Sequence, residues 1–145
     1  MIGDDQDQIA AAQRELVRIG VDNVTGSAVG DVSRFANGIP LRSYRVADFG
    51  GLADAMTHDD LTVLDVRQHG EYDDGHITGA INIPLHELAH RTNEVPAGEV
   101  WVHCGSGYRA SIAASMLDRH DRTIVLIDDM FGHAAKAGLT AHAHA

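Results

Sequence analysis

The residues best suited to chemistry lie in the stretch Val102-His-Cys-Gly-Ser-Gly-Tyr-Arg-Ala-Ser-Ile, which holds the only cysteine of the chain. An apolar run delivers Cys104 to its end, Gly105 and Gly107 free the backbone to curl, and a helix begins around Ala110. A loop wrapped in front of a helix N-terminus points several backbone N–H groups at one spot, which suits an anion. Here that spot is the sulfur of Cys104, so the amides and the helix dipole favour the thiolate. Arg109 closes the loop and adds a fixed positive charge. Cys104 and Arg109 are therefore the candidate catalytic residues. Gly105, Ser106, Gly107 and Tyr108 are the candidate substrate-binding residues, supplying cradle amides and, at Tyr108, a wall of the entrance. Such a cradle can hold the thiolate, a persulfide on it, or an incoming oxyanion. A thiolate is already a good nucleophile, so the chemistry calls for no metal, no cofactor and no general base.

The elements that position this loop read as an alternation of strands and helices. Leu61–Val66, Ala80–Ile83, Glu99–His103 and Thr123–Ile127 are short, nearly continuous apolar runs, the pattern of buried parallel strands. Val46–Met56, with Asp48 near its start, and the small-residue stretch Ser111–Leu117 read as helices. Upstream, Ile9, Ala12, Leu16 and Ile19 recur at spacings of three and four, which predicts an amphipathic helix over Gln8–Ile19 stopped by Gly20. Val21–Val24 reads as a short strand, and Val32–Ala36 as a helical turn ending at Asn37-Gly38. Strands alternating with helices of about ten residues indicate an α/β fold with a parallel sheet. Ligands in such sheets bind at the C-terminal ends of the strands, where Cys104 falls.

Composition bounds the rest. A chain of 145 residues has the length of one domain. Eleven Lys and Arg against twenty-one Asp and Glu, a net charge of −10, exclude a basic face for nucleic acid and match anionic membranes poorly. No apolar run approaches the roughly 18–20 residues of a membrane span, and the acidic start MIGDDQDQ does not read as a signal peptide. The expected setting is cytoplasmic. One cysteine makes no intramolecular disulfide and no structural zinc site by itself. His86 and His90 share i, i+4 spacing and His142 and His144 alternate, but neither pair has an evident third ligand, so no metal is expected. Trp101 reads as core.

An internal echo runs through the chain. Ala11-Ala12, Leu16-Val17-Arg18, Val24 and Asn37-Gly38-Ile39 are matched about one hundred residues later by Ala113-Ala114, Leu117-Asp118-Arg119, Val125 and Ala137-Gly138-Leu139. The first copy has Gly3–Gln8 where the second has its loop, and no cysteine, so it is expected to be chemically dead.

Two motifs together resemble the rhodanese family. One is Asp65-Val66-Arg67, Glu71-Tyr72 and Gly75-His-Ile-Thr-Gly-Ala-Ile-Asn-Ile-Pro84; the other is the Cys104–Arg109 loop followed by Ala110-Ser111. The resemblance covers about Leu41–Thr140. It implies a five-stranded parallel sheet with helices on both faces, and a sulfurtransferase passing sulfane sulfur from thiosulfate or a low-molecular-weight persulfide to a thiol or cyanide acceptor through a Cys104 persulfide. It also implies that Asp65, Arg67 and Glu71 brace the loop, with Glu71 pairing with Arg109. A basic residue often follows the cysteine in thiosulfate-preferring members; here Gly105 stands there, which leaves room for a persulfide donor. Related phosphatases place five residues between cysteine and arginine where this chain places four, so a phosphatase is the lesser alternative. The other is a non-catalytic sulfur-relay or regulatory module of a larger enzyme. On this reading residues 1–40 are the tail of a degenerate preceding repeat, 41–140 a whole domain and 141–145 a frayed tail. That order resembles proteins in which rhodanese repeats follow a metallo-β-lactamase-like hydrolase or persulfide dioxygenase domain, and a segment that has lost its packing partner is expected to be disordered, docked on the domain or paired between chains as a homodimer.

Overall fold

Apolar runs that pair side by side in parallel bury both of their faces, and this pairing organises the molecule. The computed structural model describes residues 1–18, 23–41, 43–57, 60–118 and 121–141, which fall into two compact units, Met1–Ser43 and Tyr44–Ala145.

In the smaller unit β1 (Ile2–Gly3) leads into α1 (Gln6–Arg18), which returns the chain to β2 (Ala28–Val29), parallel to β1 with Ile2 opposite Ala28. A 3-10 turn at Val32–Phe35 follows, its N-cap Asp31 accepting a hydrogen bond from the Ser33 N–H. Asn37 and Gly38 then take φ of 47° and 79° and end the turn. The expected strand at Val21–Val24 is corrected: Val24 is not in a strand, residues 21 and 22 lie outside the described residues, and the pairing occurs at Ala28–Val29. A two-residue strand exists only through its partner and leaves no periodicity to read. Ile19 and Gly20 also lie outside the described residues.

The larger unit opens with β3 (Arg45–Ala47), α2 (Phe49–Ala55), β4 (Thr62–Asp65), α3 (His69–Asp73), β5 (His76–Ile77), β6 (Ile81–Asn82) and α4 (Leu85–Arg91). It continues with β7 (Gly98–His103), α5 (Tyr108–Leu117), β8 (Arg122–Ile127), α6 (Gly132–Lys136) and β9 (Thr140–Ala141). Five strands form one parallel sheet in the order β3-β8-β7-β4-β6. The predicted helix over Val46–Met56 begins too early. Val46 belongs to β3, where it lies opposite Leu126, and the helix starts only after Asp48, whose carboxylate accepts the Gly51 N–H at 2.8 Å. Strand pairing and a cap together override the helical spacing. The expected frayed tail is also revised, since Ala141 pairs with His76 in a short antiparallel ladder of β5 and β9, while residues 142–145, with His142 and His144, lie outside the described residues.

Side chains alternate across the sheet. Leu64, Val100, Val102, Ile124 and Leu126 point to the face covered by α4 and α5, against Leu88, Ala110, Ala113 and Leu117. Val63, Trp101, Val125 and Ile127 point to the other face, against Phe49 and Leu52 of α2 and Ala134 of α6. Trp101 is 2% exposed and its indole N–H donates to Glu99 at 2.7 Å. With helices on both faces, every sheet strand ends at the same rim, and Cys104 leaves the central strand β7 there.

Candidate active site

Cys104 is 2% exposed and packs with the α5 face of the core. The chain then turns through Gly105, Ser106 and Gly107 into α5, which starts one turn earlier than Ser111. Gly107 is the N-cap residue, with φ +88° and no side chain to cap the first turn. The conformation is one that L side chains rarely adopt, and a Cβ at this position would overlap a carboxylate oxygen of Asp128. The α5 N-terminus is thus left uncapped by any side chain at Gly107, in front of the cysteine.

Arg109 sits in the first turn of α5. Its Nη1 and Nη2 donate to the two carboxylate oxygens of Glu71 at 2.6 and 2.8 Å, a parallel two-bond fork. The guanidinium lies over the loop, its Nη2 being 3.3 Å from where Gly105 would carry a Cβ. Hydrogen bonding to Arg109 holds the Glu71 carboxyl far below the usual carboxylate range, at about 2. Glu71 raises the Arg109 pKa in turn, with a smaller contribution from Cys104. Glu71 is placed by a capping box at the start of α3, its carboxylate also accepting the Gln68 N–H at 3.1 Å.

Asp65 and Arg67 form a second pair beneath the loop, both buried. The Arg67 Nε and Nη2 donate to Asp65 Oδ2 at 2.9 and 2.6 Å, Nη2 also reaches the Gly75 carbonyl at 2.8 Å, and the Arg67 N–H donates to Asp65 Oδ1 at 2.9 Å. Asp65 is both a turn cap and an ion-pair partner. The Arg67 guanidinium lies 3.6 Å from the Phe131 ring centroid, and the Phe131 N–H donates to the Gly105 carbonyl at 2.9 Å. Through Phe131, Arg67 supports the loop.

The structure therefore brings together Cys104, Gly105, Gly107, Arg109 and Glu71 on one rim, with Asp65 and Arg67 below. Ser106 is exposed, and Tyr108 is 75% exposed at the start of α5. His76 stacks on Tyr72 with ring centroids 4.0 Å apart, and His86 lies 3.5 Å from Glu87 on α4. Among the described residues no group of three or more His, Cys, Asp or Glu is placed to hold a metal ion, and no helix is long and apolar enough to cross a membrane.

Three residues at the site escape the sequence reading: His103, Phe131 and Asp128. His103 is fully buried, stacked on Phe131 and edge-on to Phe49, with its Nε2 lacking a hydrogen-bond partner among the described residues and 3.7 Å from Asp65. Burial pushes its pKa down to about 4, so the imidazole is neutral at pH 7. Phe131 and Asp128 follow β8, and the rule that sites gather beyond the C-terminal ends of parallel strands was the available signal for both.

The Rhodanese-like domain family profile matches residues 50–131, more than half of the chain. The chain belongs to that family. It is 40% identical over 60 residues to the Bacillus subtilis protein named "Putative sulfur carrier protein YrkF", and 39% identical over 62 residues to "Uncharacterized protein YqhL" of the same organism. These matches take in 41% and 42% of this chain but only 32% and 49% of those relatives' lengths. The crystal structure of a rhodanese-related protein from Thermoplasma volcanium superposes with a TM-score of 0.60 at 27% identity, over 68% of this chain and 98% of that one.

Proposed function

We propose that the protein is a sulfurtransferase that carries sulfane sulfur on Cys104. The observation that supports this most is the loop itself: one buried cysteine facing an uncapped helix N-terminus, with an arginine fork folded over it. In the first half-reaction the Cys104 thiolate attacks the outer sulfur of thiosulfate or of a low-molecular-weight persulfide. The S–S bond of the donor breaks, sulfite or the parent thiolate leaves with the electron pair, and a Cys104 persulfide forms. In the second, cyanide or a thiolate attacks the terminal sulfur, takes it as thiocyanate or a new persulfide, and returns the thiolate. Arg109 and the amides of Gly105–Arg109 stabilise negative charge on the carried sulfur and on the incoming donor. Because Cys104 is 2% exposed, the donor must be slender at its sulfur end. A cysteine that works as a thiolate suits a reducing compartment, the cytoplasm.

The sulfur-carrier wording in the YrkF name favours a second reading, a relay module that exchanges sulfur with a neighbouring domain rather than turning over small donors. Steady-state assay with thiosulfate and cyanide separates the two. Catalysis predicts ping-pong kinetics and thiocyanate formation lost in Cys104→Ser. A relay predicts stoichiometric loading with slow turnover, and absence of both loading and thiocyanate overturns sulfur transfer altogether. We further propose that residues 1–40 are the remnant of a preceding repeat, fused upstream to a hydrolase domain in the parent protein, and that they pair between chains. Solution mass of this chain beside one starting at Leu41 tests the pairing.

A further inference from the structure

We propose that Asp128 selects donors by charge, working against doubly charged anions and favouring sulfane-sulfur donors with one negative charge or none. The inference rests on the sulfurtransferase reading and sharpens its substrate class. Among the described residues both arginines at the site are matched by carboxylates, Arg67 by Asp65 and Arg109 by Glu71. Asp128 is the carboxylate left over. It follows β8 directly, its backbone N–H donates to the Ala47 carbonyl at 3.0 Å, and its side chain rests against Gly107, in the space a side chain at 107 would fill. It is exposed, and no hydrogen bond or ion pair to its carboxylate is formed by a described residue. Gly107 lies three residues from Cys104, so their Cα atoms are at most about 11 Å apart, and the Asp128 charge resting against Gly107 acts on the loop over a distance comparable with the Debye length. Position 105 is glycine and adds no cation. A negative charge fixed there repels each unit of donor charge, so on a logarithmic scale its effect on a dianion is about twice its effect on a monoanion.

Thiosulfate and an arylthiosulfonate make the required pair of probes. Both present a terminal sulfane sulfur bonded to an oxidised sulfur, and they differ by one unit of charge. In either case the Cys104 thiolate takes the outer sulfur, the S–S bond breaks, and sulfite or the arylsulfinate leaves with the electron pair. The readout is the ratio of kcat/KM for thiosulfate over that for the thiosulfonate, which cancels any change in the nucleophile itself. Asp128→Asn is expected to raise that ratio about threefold at low salt, through KM for the donor, and the rise is expected to shrink near 1 M salt. Asp128→Glu keeps the charge and the wild-type ratio; Asp128→Ser replaces the asparagine variant if the latter does not fold. Loading of Cys104 with a ratio unmoved in the neutral variants overturns the inference alone. No loading by either donor overturns the sulfur-transfer reading, and this inference with it.

Discussion

The small unit and the last part of the larger one follow one order of elements, strand, helix, parallel strand and helical turn, yet differ at the point where chemistry would occur. In the first, β1 runs into α1 through Asp4 and Asp5, and the start of that helix is filled by its own side chains. The Gln8 N–H donates to the Asp5 carboxylate at 2.8 Å, and the Asp4 N–H donates to the Gln8 side-chain oxygen at 3.1 Å. In the second, β7 runs into α5 through Gly105, Ser106 and Gly107, and no side chain caps the helix. The burial differs as well: α1 buries Ile9 alone, whereas α5 buries Ala110, Ala113, Ala114 and Leu117. A helix N-terminus becomes an anion cradle when its amides are left unclaimed and its axis is held firmly by the core. Glycine at the cap position achieves the first, and small residues on α5 achieve the second.

The largest loss should come from loosening the support under the Cys104–Arg109 loop. Arg67→Ala leaves Asp65 buried without its partner and is expected to destabilise the larger unit by about 3–5 kcal/mol, measured by urea denaturation with Trp101 fluorescence. Next, Arg109→Ala is expected to slow sulfur loading of Cys104 by roughly a hundred- to a thousandfold, the usual cost of removing one fixed oxyanion donor, and to lower the urea midpoint at pH 7 by less than Arg67→Ala does, since it also removes the partner that holds Glu71 ionised.

Acid should act most strongly through two of the shifted groups of the larger unit, and the signs agree. His103 takes up its proton at about 4 in the folded protein instead of 6.5, so its contribution is complete above pH 6.5 and is lost as pH falls toward 4. Glu71 is held at about 2 instead of 4.5, so its contribution is complete above pH 4.5 and is lost as pH falls toward 2. His103→Phe is expected to reduce the slope of stability between pH 6.5 and 4 and leave the slope below pH 4 as it was. A slope unchanged across the upper window contradicts a neutral, buried His103.

The smallest expected effect belongs to the smaller unit. Asp5→Ala removes a cap of α1 and is expected to cost about 1 kcal/mol locally, read by hydrogen exchange of the Gln8 amide, with no effect on sulfur loading. A change in loading would contradict the contrast between the two helix starts.

The parts of this molecule legible in the sequence are those whose signal is local. Four apolar runs become β4, β6, β7 and β8 because buried parallel strands need both faces apolar, and the loop from Cys104 to Arg109 announces itself by residue type and spacing. What stayed hidden depends on pairing across the fold. β1, β2 and β3 are strands only because another strand lies beside them, and the helical spacing of Val46–Met56 could not reveal that Val46 faces Leu126. Asp128 comes to Gly107 only because β8 lies next to β7, and the Arg67–Phe131 contact joins segments far apart in the chain.

Sulfur carriage by Cys104 is read from intact mass after incubation with thiosulfate, glutathione persulfide and an arylthiosulfonate. A gain of one sulfur atom is expected with at least one donor, located to Cys104 by peptide mapping, absent in Cys104→Ser and discharged by cyanide as thiocyanate. An unchanged mass with every donor, or an added sulfur that persists in Cys104→Ser, would contradict it.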